Sequence, residues 1–379
     1  MHNVAGNRWD IFCKIVDNFG DIGVCWRLSQ QLAREHHLRV RLFIDDFATA
    51  KKIIPALDVT KQSQYINSVE ICTWPINNIS PAETIIETFS CALPDDYVHQ
   101  MVRNKSTWIN LEYLSAEAWV GDFHAKPSPH PTLAITKHYF FPGFKSDTGG
   151  LICEKNLIAA RDVFLNSIDM QTEFWRALNL TNTLNLPLLN QSIKISLFCY
   201  AQANVVNLLS ALAKSNQAIS LLLPNNGTIE EIKPLLTHFL HKNVSIYLLP
   251  FLSQASYDKL LWACDLNFVR GEDSWLRAIW AGKPFIWQPY IQTEESHIKK
   301  LKAFLEMYTN EAPENIKSIL CESHLAWSNA CQLVPWHNLL KQLTSLQRYA
   351  KTQSNRLAHQ PDLATKLVFF SDNLAKSKV

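Results

Sequence analysis

Apolar runs of four to eight residues recur through the second half of the chain, and stretches with helical spacing separate them. Residues 193–199, 218–223, 244–250, 265–269 and 284–288 read as strands, and 204–214, 228–240, 253–263 and 274–281 as helices, the last closed by Gly282. A strand that is apolar without alternation is buried on both faces. This half therefore predicts a parallel, doubly wound sheet covered by helices on both sides.

The first half opens in the same way. Strands are expected at 9–16, 40–44, 69–74, 84–90, 107–111 and 132–136, and a helix over 22–35 carries Ile22, Cys25, Trp26, Ser29 and Leu32 along one side. A polar, proline-bearing stretch at 180–192 separates the halves. The pattern predicts two Rossmann-like domains, 1–185 and 186–354, facing a central cleft. The C-terminal segment 355–379, with a last helix from Ala364 to Lys376 that has a basic end, is expected to pack back on the first domain. No internal repeat or low-complexity tract interrupts this reading.

Composition narrows the class. A chain of 379 residues exceeds what one hydrophobic core usually serves, and 47% hydrophobic with 18% charged residues describes a globular protein with a large core. Thirty-six Lys+Arg against 34 Asp+Glu leave a formal charge of +2, so no global pull on nucleic acid or membrane is expected. The nine cysteines form no C-x-x-C pair, which points to reduced thiols rather than a disulfide framework or a zinc site. The polar start, Met1 to Asp10, lacks an apolar leader, and no run approaches the roughly 18 apolar residues of a membrane span. A cytoplasmic location is expected.

The densest chemistry lies at Arg270-Gly271-Glu272-Asp273-Ser274, between an expected strand and an expected helix. A strand that turns through glycine into a helix N-terminus aims unpaired N–H groups and the positive end of the helix dipole at one point, which suits a phosphate. Two carboxylates in the same turn would repel a bare phosphate. The ligand should therefore also carry hydroxyls from which Glu272 accepts, as a nucleotide sugar does. A plainer reading keeps Asp273 or Ser274 only as a helix cap. Arg270 either adds positive charge or pairs with a neighbouring acid.

A second group, Asp17-Asn18-Phe19-Gly20-Asp21-Ile22-Gly23, follows the first expected strand. Its glycines suit close approach of a ligand, yet Gly20-x-x-Gly23 supplies only part of a dinucleotide fingerprint, and Asp21 would meet the pyrophosphate as a like charge. Asp17 and Asp21 fit an acceptor side better, with a helix cap as the alternative for Asp21. Asp45-Asp46 and Asp95-Asp96 are adjacent pairs without D-x-D spacing, and the histidines are scattered. No metal and no cofactor is expected. Glu112-Tyr113 follows an expected strand and either touches an acceptor or supports the site, and Gly149-Gly150 reads as a turn.

Five blocks carry a resemblance. They are Trp9-Asp10-Ile11-Phe12-Cys13-Lys14, Asp17 to Val24, Trp108-Ile109-Asn110-Leu111-Glu112-Tyr113-Leu114-Ser115-Ala116-Glu117, Gly149-Gly150-Leu151-Ile152 and Arg270 to Ser274. In this order they resemble the EF-P arginine rhamnosyltransferase family (EarP). The resemblance implies a GT-B glycosyltransferase, inverting and independent of metal. Such an enzyme moves L-rhamnose from dTDP-β-L-rhamnose to an arginine guanidinium of translation elongation factor P. It also implies Asp21 as the candidate general base and Asp17 as a second acid needed for activity. Asn18, Phe19, Gly20, Glu112 and Tyr113 would stand on the acceptor side. Glu272 would hold the nucleotide sugar, Asp273 and Ser274 the diphosphate, with Arg270 beside them, Tyr200 near the thymine and Gln254 in the nucleotide pocket. A nucleotide-sugar enzyme with a small-molecule or lipid acceptor would share the second-half site. A non-catalytic dinucleotide-binding module would keep the glycines but gain nothing from Asp17 and Asp21.

Overall fold

The computed structural model describes residues 8–16, 19–74, 79–180, 191–225, 243–291 and 296–376. The chain divides into two compact units, Met1–Lys155 with Gln360–Val379, and Asn156–His359. The helix expected over 228–240 and nearly all of the 180–192 stretch lie outside the described residues.

The first unit is built on an eight-stranded sheet. Its strands are β1 (Arg8–Cys13), β2 (Arg39–Ile44), β3 (Ser63–Ile66), β4 (Val69–Thr73), β5 (Thr84–Thr88), β6 (Thr107–Leu111), β7 (Pro127–Pro129) and β8 (Thr136–Phe140), in the order β3-β4-β2-β1-β5-β6-β8-β7. The two edge strands β3 and β7 pair antiparallel, and the pairings between them are parallel. Every residue of β5 and β6 is buried, the pattern of strands covered on both faces. The helix Gly20–Glu35 lies against β2, and the five side chains expected along its buried side are all buried. The helix Leu363–Lys376 belongs to this unit, tied to β5 by Ser371 Oγ and Thr84 Oγ1 at 2.8 Å and touching Phe140 through the tilted ring of Phe370, with centroids 5.4 Å apart.

The second unit holds five parallel strands, β9 (Ile193–Leu197), β10 (Ile219–Pro224), β11 (Val244–Leu249), β12 (Leu266–Arg270) and β13 (Phe285–Gln288), in the order β11-β10-β9-β12-β13. Counting only the parallel series in chain order, both sheets follow the doubly wound arrangement in which strand order reverses beside the first strand. Ligands bind at that switch point, beyond the carboxyl ends of the strands. It falls between β1 and β5 in the first unit and between β9 and β12 in the second.

Two expectations need correction. The strand expected at 132–136 starts where that range ends, at Thr136. Residues 130–135 form the turn that joins β7 to β8, closed by His130 N–H on Ile135 C=O, and Leu133 and Ile135 are apolar because they pack against the core around Phe12 and Trp108. The first unit also ends at Lys155 rather than near 185. The helices Leu157–Asn166 and Ile168–Ala177 join the second core: Arg161, 1% exposed, donates to Trp280 C=O at 2.8 Å and to Ser354 Oγ at 3.0 Å, and Phe164 meets Trp262. A polar stretch marks a connection without telling which core the helices before it will enter. Among the described residues, no helix is long and apolar enough to cross a membrane.

Candidate functional site

In the second unit, β12 ends at Arg270, and Gly271 turns the chain with φ of 63°, a conformation that costs glycine little. Its N–H donates to Gln288 C=O at 3.2 Å and its C=O accepts from Trp287 Nε1 at 2.7 Å. Glu272 is the N-cap of the helix Asp273–Ala281 and makes no side-chain cap bond, so it and Asp273 stand half-buried at the helix N-terminus. Trp275 stacks on Trp287 with centroids 3.7 Å apart, and Arg277 forms a buried fork on Asp258 at 2.7 and 3.0 Å. These contacts fix the helix against β13 and the neighbouring helix Gln254–Ala263. The N-terminal N–H groups are thereby aimed past the end of β12.

Ser274 behaves differently from the expectation of a hydroxyl turned toward a diphosphate. It is 6% exposed, and its Oγ accepts from Arg270 N–H at 3.1 Å while donating to Arg270 C=O. The hydroxyl closes the strand-to-helix turn. Arg270 in turn lies across two rings, its guanidinium carbon 4.6 Å from the Phe198 centroid and 4.5 Å from that of Tyr200, with Nη1 on Cys199 C=O at 3.3 Å. A planar, weakly hydrated cation stacks on aromatic faces where an ammonium would not. Tyr200 N–H donates to Gln288 Oε1 at 2.9 Å, and the Tyr200 ring meets Tyr290 edge-on at 5.7 Å. Gln254 opens its helix one turn before Tyr257, whose ring touches Phe198 at 5.4 Å. Arg270, Tyr200 and the 270–274 turn thus gather at the switch point between β9 and β12, and the first turn carrying Gln254 stands beside them.

The first unit carries the other group. Asp17 and Asn18 lie outside the described residues. Asp21 sits in the first turn of Gly20–Glu35, 2% exposed, and does not act as the N-cap, a position held by Phe19. Its carboxylate reaches back to the loop instead: Oδ2 accepts from Val16 N–H at 2.7 Å and Oδ1 from the Tyr113 hydroxyl at 3.2 Å. The capping alternative for Asp21 is therefore set aside. Asp45 pins the same loop by accepting from Ile15 N–H at 3.0 Å, and Asp46 caps the helix Phe47–Ile53. Phe19 receives Lys52 Nζ over its ring at 5.6 Å.

Tyr113 is held by a face-to-face stack on Phe89, with centroids 4.1 Å apart and planes within 6°. Phe89, Ser90 and Ala92 all have positive φ, at 55°, 53° and 61°. Each such non-glycine residue costs on the order of 1 kcal/mol, and the surrounding bonds must hold it there. Ala92 N–H donates to the buried Glu87 Oε1 at 3.0 Å, and Ser90 Oγ donates to Glu112 Oε1 at 3.1 Å. Glu112 also accepts from Asn110 Nδ2. Glu112 thus braces the strained turn after β5, and that turn carries the ring on which Tyr113 rests. Gly149-Gly150 belongs elsewhere, since a Cβ on Gly150 would come within 2.8 Å of Pro361 C=O at the start of the last helix segment.

Sequence reading missed Phe198, Tyr290 and Gln288 beside the 270–274 turn, and Phe89 and Ser90 beside Asp21. Their shared signal is position, because each lies at or just beyond the carboxyl end of a parallel strand. Among the described residues, no group of three His, Cys, Asp or Glu side chains is placed to hold a metal ion.

Comparison with known proteins agrees with this geometry. The family model for the elongation factor P rhamnosyltransferase EarP matches residues 9–372. A protein-arginine rhamnosyltransferase of Pseudomonas putida is 40% identical over 96% of this chain and 98% of its own length. One of Pseudomonas aeruginosa is 39% identical over 96% and 99%. A solved structure described as the structural basis for EarP-mediated arginine glycosylation of translation elongation factor EF-P superposes with a TM-score of 0.66 at 31% identity, covering 97% of this chain and 99% of that one. With two doubly wound units of the GT-B class and a match over nearly its whole length, the chain belongs to the EarP family of protein-arginine rhamnosyltransferases.

Proposed function

We propose that this protein transfers L-rhamnose from dTDP-β-L-rhamnose to one arginine guanidinium of translation elongation factor P in the cytoplasm, with inversion at the anomeric carbon and without a metal ion. The observation that carries the donor half is the Arg270–Ser274 turn. It puts a helix N-terminus, an acceptor carboxylate on Glu272 and an aromatic-backed cation at one switch point. The EarP structure described with EF-P and the rhamnosyltransferase relatives support the acceptor and the sugar.

In this reading the second unit binds the nucleotide sugar. The diphosphate lies at the N-terminus of Asp273–Ala281, where the first-turn N–H groups and the helix dipole take up the charge that grows as dTDP departs. Glu272 accepts from a sugar hydroxyl, and Tyr200 offers a ring face for the base. The first unit binds the arginine. A guanidinium is a weak nucleophile because its lone pairs are delocalised and it stays protonated at neutral pH. Asp21 removes that limit by taking a proton from the attacking nitrogen as the N–C1 bond forms and the C1–O bond to the diphosphate breaks. The products are rhamnosyl arginine, dTDP and a protonated Asp21 carboxyl that returns its proton to water. Asp17 serves as the second carboxylate for the guanidinium fork.

The deciding experiment incubates purified protein with dTDP-β-L-rhamnose and elongation factor P and reads the factor's mass. The expected result is one added deoxyhexose on an arginine peptide. An unmodified factor with intact donor consumption, or transfer only to a small molecule or lipid, would sink the reading.

A further inference from the structure

The structure assigns to Gln288 the role of a positioning residue that holds both lips of the donor pocket, so that the Tyr200 loop and the Gly271 turn sit in binding register before any ligand arrives. This rests on the reading of the second unit as the donor site.

Gln288 is the last residue of β13 and is 3% exposed. Its side chain and its main chain point to different elements. Oε1 accepts from Tyr200 N–H at 2.9 Å, beyond the end of β9, and its C=O accepts from Gly271 N–H at 3.2 Å, beyond the end of β12. β12 lies between β9 and β13 in the sheet and is the direct partner of β13, with Arg270 opposite Gln288. The main-chain bond therefore continues the ladder by one step. The side-chain bond spans the intervening strand. The paired register between β9 and β12 ends with Phe268 opposite Leu197, Phe198 N–H adds one further bond to Phe268 C=O at 3.0 Å, and the Gln288 side chain carries the anchoring on to Tyr200 N–H.

The chemistry of the contact is specific. A backbone N–H can be met only by an acceptor, so the carbonyl end of the Gln288 amide must face Tyr200. A buried N–H that loses such a partner is left unpaired or drags its loop toward water, and either outcome is unfavourable. The loop so fixed presents the Tyr200 ring against Arg270 at 4.5 Å, and the Arg270 backbone is in turn closed by Ser274. One buried amide thus links the aromatic platform to the helix N-terminus.

The test uses the full-length protein, with dTDP as the calorimetric probe and dTDP-β-L-rhamnose in the rate assay. Gln288→Met keeps the length and apolar volume of the side chain but cannot accept. The expected result is a roughly tenfold weaker dTDP affinity and a matching rise in donor KM. kcat at saturating donor and the KM for elongation factor P should change by less than about twofold. A merely structural role would instead lower the melting temperature and leave donor KM where it was, and that result would overturn the assignment. Amide exchange of the ligand-free parent gives a reading that needs no variant: the Tyr200 N–H should be protected. Free exchange there in the folded parent would overturn the proposal even if Gln288→Met fails to fold. If the parent binds no dTDP at all, the donor-site reading falls first and takes this assignment with it. Equal affinity in parent and variant removes Gln288 alone.

Discussion

The Tyr113 hydroxyl donates to Asp21 Oδ1 across 3.2 Å, while Val16 N–H occupies Oδ2 at 2.7 Å. Both carboxylate oxygens are held by protein donors, so the group is oriented. This is what a base for an incoming N–H requires. Asp21→Asn keeps the size of the side chain and removes the base. Turnover of elongation factor P at saturating donor should fall about 10²-fold or more, while dTDP affinity measured by calorimetry stays close to that of the parent. Near-parent turnover by a folded Asp21→Asn protein would remove Asp21 from the base role.

Tyr113→Phe isolates the orienting bond. The Phe89 stack at 4.1 Å survives this change, because it uses only the ring face. The expected loss is modest, about two- to tenfold in kcat, the scale of one hydrogen bond, with donor KM unaffected. A full loss of activity would mean that the hydroxyl itself takes part in the chemistry, and no change would mean that Val16 N–H suffices to hold the carboxylate.

His324 makes stability depend on pH. It is fully buried between Phe285 and Phe304, and burial lowers its pKa from 6.5 to about 4, against a smaller opposing contribution from the Leu320 carbonyl. The unfolded chain therefore takes up this proton first as pH falls. The stabilisation is complete above pH 6.5 and is lost as pH drops from there toward 4. His124, partly buried and also lowered to about 4 chiefly by burial, acts in the same direction with a smaller share. Between pH 7.5 and 5 the His324 contribution should fall by about 2 kcal/mol. Urea midpoints of the parent and of His324→Leu at both pH values provide the check. The variant should lose most of that pH dependence, and an identical slope would show that His324 is not the source.

Much of this architecture is legible in the chain because it is repetitive. Unalternated runs such as Ile85-Ile86 and Leu221-Leu222-Leu223 have no solvent face and must be central strands, and the Gly271 turn declares itself by residue type. The misses share a cause. Leu133 and Ile135 look like a strand because apolarity reports burial and not backbone conformation. Three left-handed residues at Phe89, Ser90 and Ala92 carry no glycine to announce them, being held by Glu87 of the strand before them and by Glu112, just past β6. The sequence also says nothing of where the Ser274 hydroxyl points. The structure shows it bonded to both Arg270 N–H and Arg270 C=O.

The proposed donor-side account predicts that the reaction needs no metal ion. If helix N–H groups carry the departing diphosphate, adding a chelator should leave the initial rate unchanged within about twofold. Loss of activity in chelator, restored by magnesium, would mean that the leaving group is stabilised by an ion.

The sharpest contrast on the donor side is between Glu272 and Ser274, two residues apart in one turn. Glu272 makes no side-chain cap bond to its helix, so Glu272→Ala should remove a hydroxyl acceptor without uncapping that helix. dTDP-rhamnose binding should weaken by about 10-fold, binding of dTDP without the sugar should change less, and the melting temperature should hold. Ser274→Ala is a different lesion. It strips both the acceptor of Arg270 N–H and the donor to Arg270 C=O in a buried turn, so dTDP and dTDP-rhamnose should weaken together, with a loss of roughly 1–3 kcal/mol in stability. Calorimetry with both ligands and a melting curve for each variant separate the outcomes. Sugar-selective loss in Ser274→Ala with an unchanged melting temperature would return its hydroxyl to the ligand, and equal loss of both ligands in Glu272→Ala would move Glu272 off the sugar.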